Sequence, residues 1–524
     1  MALPQPLHIF RKDLIHLWPE VLFVIALFAG FAALAPSGWT GSEYAPYVAF
    51  GAFLIKCLMV ISWLVLIARS IQDESLVGDR QFWTSRPYHW AKLFAAKCIL
   101  IFTCIYIPFF LMQVYLLKHS GLHPILVIPA LLHNLLLLTV VVVIPLAALS
   151  AVTSTFPRVL LTFVGALLGM LIVFAIIGWI NFLQMQPPHL EWLLDTIFIV
   201  LPAIALFIQY KTRKTLTARL VLASTLVLFA LVLFLAPNSA VIARAYPALS
   251  GSTAPTLTGV SDKLPTPPAD PNANLATFRS HVTIALPVTV ANVDKDINFL
   301  VRGTRVTITG PGVNYTSPFL GNIRPVQIGG ERPFALLSFM LPVAVFNKIH
   351  TTPVDLHLEL ASEQLKEEKP STWHATLLPF SVPGKGICTF PPDGDANFDP
   401  TCRYPLAQPK IGFVTASLSA ASCANPAAPP ASGEASVGGS SSIIPDFDPV
   451  ITVPLNFRTG DPNPQHHYVL CPGTDLTFVE GASLPNASLI LDQKQVVLDP
   501  LAERFTGRNN RPGRPQSAPQ NEPQ

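Results

Sequence analysis

Residues 124–150 read PILVIPALLHNLLLLTVVVVIPLAALS, a run without a single Asp, Glu, Lys or Arg. A helix needs about 20 apolar residues to cross the hydrocarbon core of a bilayer, and this run exceeds that. Lipid offers no hydrogen-bond partner, so the backbone must satisfy itself, and a helix does so within one segment. Working outward, further long apolar runs lie at 20–36, 47–69, 93–117, 158–184, 191–210 and 217–236. Seven spans are therefore expected. The first run is the shortest and the sixth the least apolar, so six is the alternative. The first run follows Arg11, Lys12 and Asp13 and lacks a small-x-small cleavage site after it. It reads as a retained span rather than a signal peptide.

Composition points the same way for half of the chain only. Of 524 residues, 51% are apolar and 12% charged, and the mean hydropathy is +0.47. That excludes an ordinary soluble protein. Yet there are 51 prolines, of which 37 lie beyond residue 236. Net charge is +6 over residues 1–240 and −3 over the remainder, and seven of the eight tryptophans precede residue 240. The expected fold is an α-helical polytopic membrane bundle followed by an all-β, sandwich-like extracytoplasmic domain. The divisions are an amphipathic lead-in (1–19), the bundle (20–236), a Pro/Ser/Thr-rich linker (237–275), the β-domain (276–502) and a polar tail (503–524) expected to be disordered.

Lys/Arg placement sets the orientation. With the N-terminus inside, the inner segments hold Arg11 and Lys12, then Arg69, Arg80, Arg86 and Lys92, then Arg158, then Lys211, Arg213, Lys214 and Arg219. The outer loops hold Lys118 alone. Seven spans then place residue 237 onward outside. In the lead-in, Ile9, Phe10, Leu14, Leu17 and Trp18 form an apolar helix face with Arg11, Lys12 and Asp13 opposite. That pattern suits a helix lying in the inner interface.

The β-half shows period two. Val282, Ile284, Leu286, Val288 and Val290 alternate with smaller or polar residues, and Val354, Leu356, Leu358 and Leu360 with Asp355, His357 and Glu359. Other strand candidates include 334–346, 372–380, 411–417, 450–457, 475–480 and 493–498. Short strands broken by Pro/Gly turns suggest a sandwich. Pro/Gly-rich inserts at 384–409 and 420–446 interrupt the pattern, the second expected to be disordered. Cys388, Cys402, Cys423 and Cys471 give an even count in a segment placed outside, which suits two disulfides. Three pairings are open, and Cys388 with Cys402, closing a short loop, is favoured.

Within the spans, Lys56 is nine residues from one end and thirteen from the other. A central Lys costs about 2.5–3.5 kcal/mol on insertion scales, so it should face a cavity, an acid or another subunit. His133 and Asn134 sit mid-span. They would either line a translocation path or bond between helices. No P-loop, H-E-x-x-H or G-x-S-x-G is present, so no catalytic residue, cofactor, metal site or nucleic-acid partner is expected.

The one long inner loop, with the span it opens, reads ARSIQDESLVGDRQFWTSRPYHWAKLFAAK over 68–97. It mixes acids, bases and aromatics as docking surfaces do. The pattern E-S-L-V-G-D-R-x-F-W-x-x-R-P (74–87), the W-x-K-L-x-x-A-K that follows (90–97) and the lead-in FRKDLIHLWPE (10–20) resemble the permease subunits of bacterial type-2 ABC transporters. The resemblance covers roughly residues 1–236. It implies that Asp73, Glu74, Gly78, Asp79, Arg80, Phe82, Trp83, Arg86 and Pro87 belong to a coupling loop. That loop would dock on a separate cytoplasmic ATP-binding cassette subunit, which would supply the ATPase activity. It implies further an inner-membrane location and a second permease half, as a homodimer. A seventh span and an outer domain go beyond the family's common six spans. The alternative reading is a membrane-anchored extracytoplasmic binding or sensing protein that retains a permease-like bundle.

Overall fold

The computed structural model describes residues 5–39, 45–73, 90–180, 184–185, 190–236, 238–249, 255–259, 274–275, 277–278, 280–329, 335–367, 369–374, 380–382, 386–389, 401–406, 411–420, 432–435, 446–454, 456–458, 471 and 473–505. Among them are seven helices long and apolar enough to cross a membrane: Trp18–Gly38, Tyr47–Gln72, Ala91–His119, Pro124–Val152, Phe156–Gly178, Leu193–Thr212 and Thr215–Leu235. At 1.5 Å per residue, lengths of 20–29 residues give about 30 Å or more. The chain is a multi-pass membrane protein with a helical bundle followed by a β-rich half.

Proline shapes two of the spans. The third has a π-helical turn at Phe102–Tyr106, directly before Ile107-Pro108. The fourth has one at Leu138–Val143, directly before Ile144-Pro145. A proline inside a helix lacks the N–H and its ring strikes the carbonyl four residues back. A wider turn relieves that clash without breaking the span.

Two compact units form. The first comprises Met1–Phe182, Pro188–Ala236 and Glu367–Ser483; the second comprises Leu183–Pro187, Pro237–Lys366 and Leu484–Gln524. In the first unit, the helix Gln5–His16 precedes the spans. Ile9 is buried, as its apolar face requires, but so is Asp13, one helical turn on. Asp13 thus leaves the polar face expected for it. Its Oδ2 accepts from Lys97 Nζ in the third span at 2.7 Å, with both side chains almost wholly buried. Glu20 at the start of the first span pairs with Arg69 near the end of the second.

The first unit also holds an antiparallel sheet of Phe380–Val382, Gly386–Thr389, Thr401–Pro405 and Val450–Pro454. The 384–409 insert therefore carries strands. Cys388 and Cys402 lie opposite each other in register and form a disulfide with Cα atoms 4.1 Å apart. Cys471 is disulfide-bonded as well, while Cys423 lies outside the described residues. Val382, Tyr404, Val414, Leu418, Val453 and Phe478 build the β core of this unit.

In the second unit, His281–Ala291 pairs with Thr256–Gly259 and Ala335–Pro342. Ile297–Gly310 pairs with Val313–Thr316, Leu320–Gly329 and Val354–Glu367. Ile284 and Val288 of the first group pack with Val306, Leu356 and Leu358 of the second in one core, a face-to-face arrangement of sheets. Here the local reading fails in three places. Residues 334–346 are not one strand: Pro342 caps a helix, Val343–Ile349, that buries Phe346 and Ile349. The 237–275 stretch contains the helix Ser239–Ala245, capped by Asn238 accepting from Ala240 N at 2.9 Å, and its Ile242 is fully buried. Residues 475–480, in the first unit, and 493–498, in the second, fall on the single strand Asp475–Val496, which ends at 496.

Breaking a buried pair costs about 3–5 kcal/mol, because one charge stays behind in the interior. Asp13→Ala should therefore lower the unfolding free energy in detergent by roughly that amount. Asp13→Leu combined with Lys97→Met should recover most of it, as read from denaturation midpoints.

Candidate functional site

Gln113 and Asn134 are buried amides on consecutive spans. The two spans are joined by a tight turn over 120–123. Gly121 there has φ +81°, a backbone conformation that favours glycine, and a Cβ would stand 3.2 Å from Ile387 Cγ1. The amides meet a segment from far along the chain. Asn134 Nδ2 donates to the Asp446 carbonyl at 2.6 Å, and Asn134 Oδ1 accepts from the Asp446 N–H at 2.9 Å. Gln113 Nε2 donates to the same carbonyl at 3.0 Å. One backbone residue thus has both of its polar groups met by side chains of the bundle.

Phe447 follows, buried among rings of the first three spans. It stacks on Trp63 at 5.6 Å and meets Phe109 edge-on at 6.0 Å and Phe31 at 6.5 Å. Phe28 packs behind, against both Trp63 and Phe109. Such ring pairs contribute about 0.5–1.5 kcal/mol each beyond the area they bury. Gln113 Oε1 and Trp63 Nε1 are buried and have no hydrogen-bond partner among the described residues.

Asp448 completes the segment. Its Oδ2 accepts from Trp39 Nε1 at 2.9 Å and its Oδ1 from the Val450 N–H at 3.0 Å. The Arg403 guanidinium lies over the Trp39 ring at 5.3 Å. Burial pushes the Asp448 carboxyl above its ordinary range, against those two hydrogen bonds and the charge of Lys56. Lys56 is half-buried, with Nζ 5.5 Å from the Phe31 ring centre. The mid-span lysine therefore borders the chamber that Phe447 fills. His133 is half-buried and, one residue from Asn134, points about 100° away around the helix.

A second arrangement lies at the other ends of these helices. Asp73 closes the second span by donating its N–H to the Arg69 carbonyl at 3.0 Å, and its carboxylate is 3.6 Å from His16 Nε2. Glu74, Gly78, Asp79, Arg80, Phe82, Trp83, Arg86 and Pro87 lie outside the described residues.

In the second unit, the polar face of Val354–Glu367 carries cross-strand ion pairs. Arg302 Nη2 meets Glu363 at 2.7 Å and Arg305 meets Glu359 at 3.4 Å, while His357 Nδ1 is 2.6 Å from Asp492. These are pairs of the kind that join neighbouring strands. No group of three His, Cys, Asp or Glu among the described residues could hold a metal ion. No protein-family model matches the chain, and no curated protein is significantly similar to it.

The 446–448 segment is the part that sequence reasoning missed. Its text, Pro-Asp-Phe-Asp-Pro over 445–449, stands out from the Ala/Ser/Gly-rich residues before it. An aromatic between acids and prolines was the available signal.

Two outcomes test this geometry. Asn134→Ala strips both polar groups of a buried residue and should cost about 1–3 kcal/mol, measured by unfolding in detergent. Asp448 gives a pH signature. Its raised pKa means that the folded chain keeps the proton to higher pH than the unfolded chain. The resulting stabilisation is full below the usual carboxylate range near 4 and is lost as pH rises through the raised value. Thermal midpoints should show that dependence in the wild type and a flatter profile in Asp448→Asn.

Proposed function

We propose that the chain is the permease subunit of an ABC-type transporter. A separate cytoplasmic ATPase would hydrolyse ATP, and the bundle would couple that hydrolysis to movement of a substrate across the membrane. The observation that carries this reading is the set of ties around the 74–89 connection. Asp13–Lys97 joins the first helix to the third span, Glu20–Arg69 joins the first span to the second, and His16 faces Asp73 where the connection begins. Force applied to the connection would reach three spans through these pairs, of which Asp13–Lys97 is buried and would leave an uncompensated charge in the interior if parted. In this reading the N-terminus is cytoplasmic, the β-half is extracytoplasmic, and a second copy completes the transporter in the inner membrane. No residue of this chain is assigned a catalytic role.

The filled chamber favours a second reading. A bundle whose interior is occupied by Phe447 suits a membrane-anchored binding or sensing protein that no longer transports.

One purification separates the two readings. The first expects a cassette ATPase to co-purify from the native membrane and to be lost on Asp79→Ala/Arg80→Ala, while a reporter fused after residue 240 reads outside. A chain that purifies without any ATPase, and whose ligand binding needs none, would instead establish the second.

A further inference from the structure

The chamber around Phe447 has the composition of a peptide receptor. Asn134 reads the backbone: it donates to the C=O and accepts from the N–H of one residue, as a neighbouring strand would. Every peptide offers those two groups, so this contact is indifferent to sequence. Selection falls to the neighbours. Rings of Phe31, Trp63 and Phe109 surround the next side chain and favour an aromatic one. Trp39 Nε1 and the charge of Lys56 then receive a carboxylate.

The chamber also holds polar atoms that the segment does not satisfy. Trp63, which stacks on Phe447, keeps a buried indole N–H without a partner among the described residues, and Gln113, which holds Asp446, keeps a buried amide oxygen in the same state. The internal segment leaves one buried donor and one buried acceptor unused, two groups that a further ligand atom could satisfy.

We propose that this chamber is a peptide-binding site. It takes an extended segment with an aromatic side chain followed by a carboxylate, and residues 446–448 occupy it as the chain's own ligand. The inference concerns binding and is independent of any coupling to an ATPase. If the bundle does transport, the same chemistry names its cargo as a peptide of that type.

The test uses the full chain purified in detergent. The probe is a fluorescein-labelled synthetic peptide, IIPDFDPV, copying residues 443–450. A tethered ligand acts at an effective concentration of order millimolar, so the wild type should bind the free probe at least about tenfold more weakly than Phe447→Ala does. Adding Asn134→Ala should abolish the gain, and a probe with Ala in place of Phe should bind neither form. A Phe447→Ala chain that elutes as a single species and binds no better than the wild type would overturn the proposal, as would a gain that survives Asn134→Ala. If Phe447→Ala does not fold, the wild type is photolysed with the same peptide carrying benzoylphenylalanine at the Phe position, supplied at about millimolar concentration so that it competes with the tethered segment. Cross-links to the first four spans that unlabelled peptide competes away support the site. Cross-links that do not compete, or none, overturn it.

Discussion

A backbone N–H and C=O taken into an apolar interior must find partners there, and in the first unit that requirement falls on Asp446. Asn134 and Gln113 meet it. Without the two amides, the segment could enter the bundle only at the cost of stripping its polar groups of water. With them, the entry also carries Phe447 into a ring-lined chamber and brings Asp448 to Trp39. The positions of three aromatic side chains and of Lys56 make sense around that segment. The strands that follow, from Val450 onward, begin where the segment leaves off.

Charge in the bundle obeys the same economy. Asp13 and Lys97 are buried with each other, Glu20 pairs with Arg69, and Lys56 lies beside a ring and within reach of the field of Asp448. None stands against lipid alone, where it would be costliest. The fifth span is the contrast. Leu161 and Leu171 are broadly exposed, and among the described residues no other segment comes within 4 Å of where a Cβ would stand at Gly165 or Gly169. A surface of that kind is at home against acyl chains.

The span count and the change from helix to strand were legible because each follows from local periods and lengths. The alternation at Val354, Leu356 and Leu358 reappears as buried residues of one strand. Asp13 was misread because a charged residue beside Arg11 and Lys12 looks solvated; only Lys97, on another helix, turns it inward. The helix at Val343–Ile349 was hidden by apolar residues that suit a strand equally well. Asn134 was recognisable as a polar residue in a span, but its partner was not. Nothing local to residue 134 announces a backbone group 312 positions later. The 446–448 segment was hidden for the same reason, since its role exists only where three helices bring their rings together. The loop at 74–87, the most informative text in the bundle, falls outside the described residues.

That separation of 312 residues sets an order of assembly. Chains are made from the N-terminus, and the spans are synthesised long before Asp446 emerges. For that interval Trp63, Phe109 and Asn134 lack the segment that they hold in the finished chain. The contacts of these spans with Asp446 and Phe447 can close only after most of the β-half has been made. Biogenesis therefore passes through a stage in which the rings and the Asn134 amide have yet to meet their own segment.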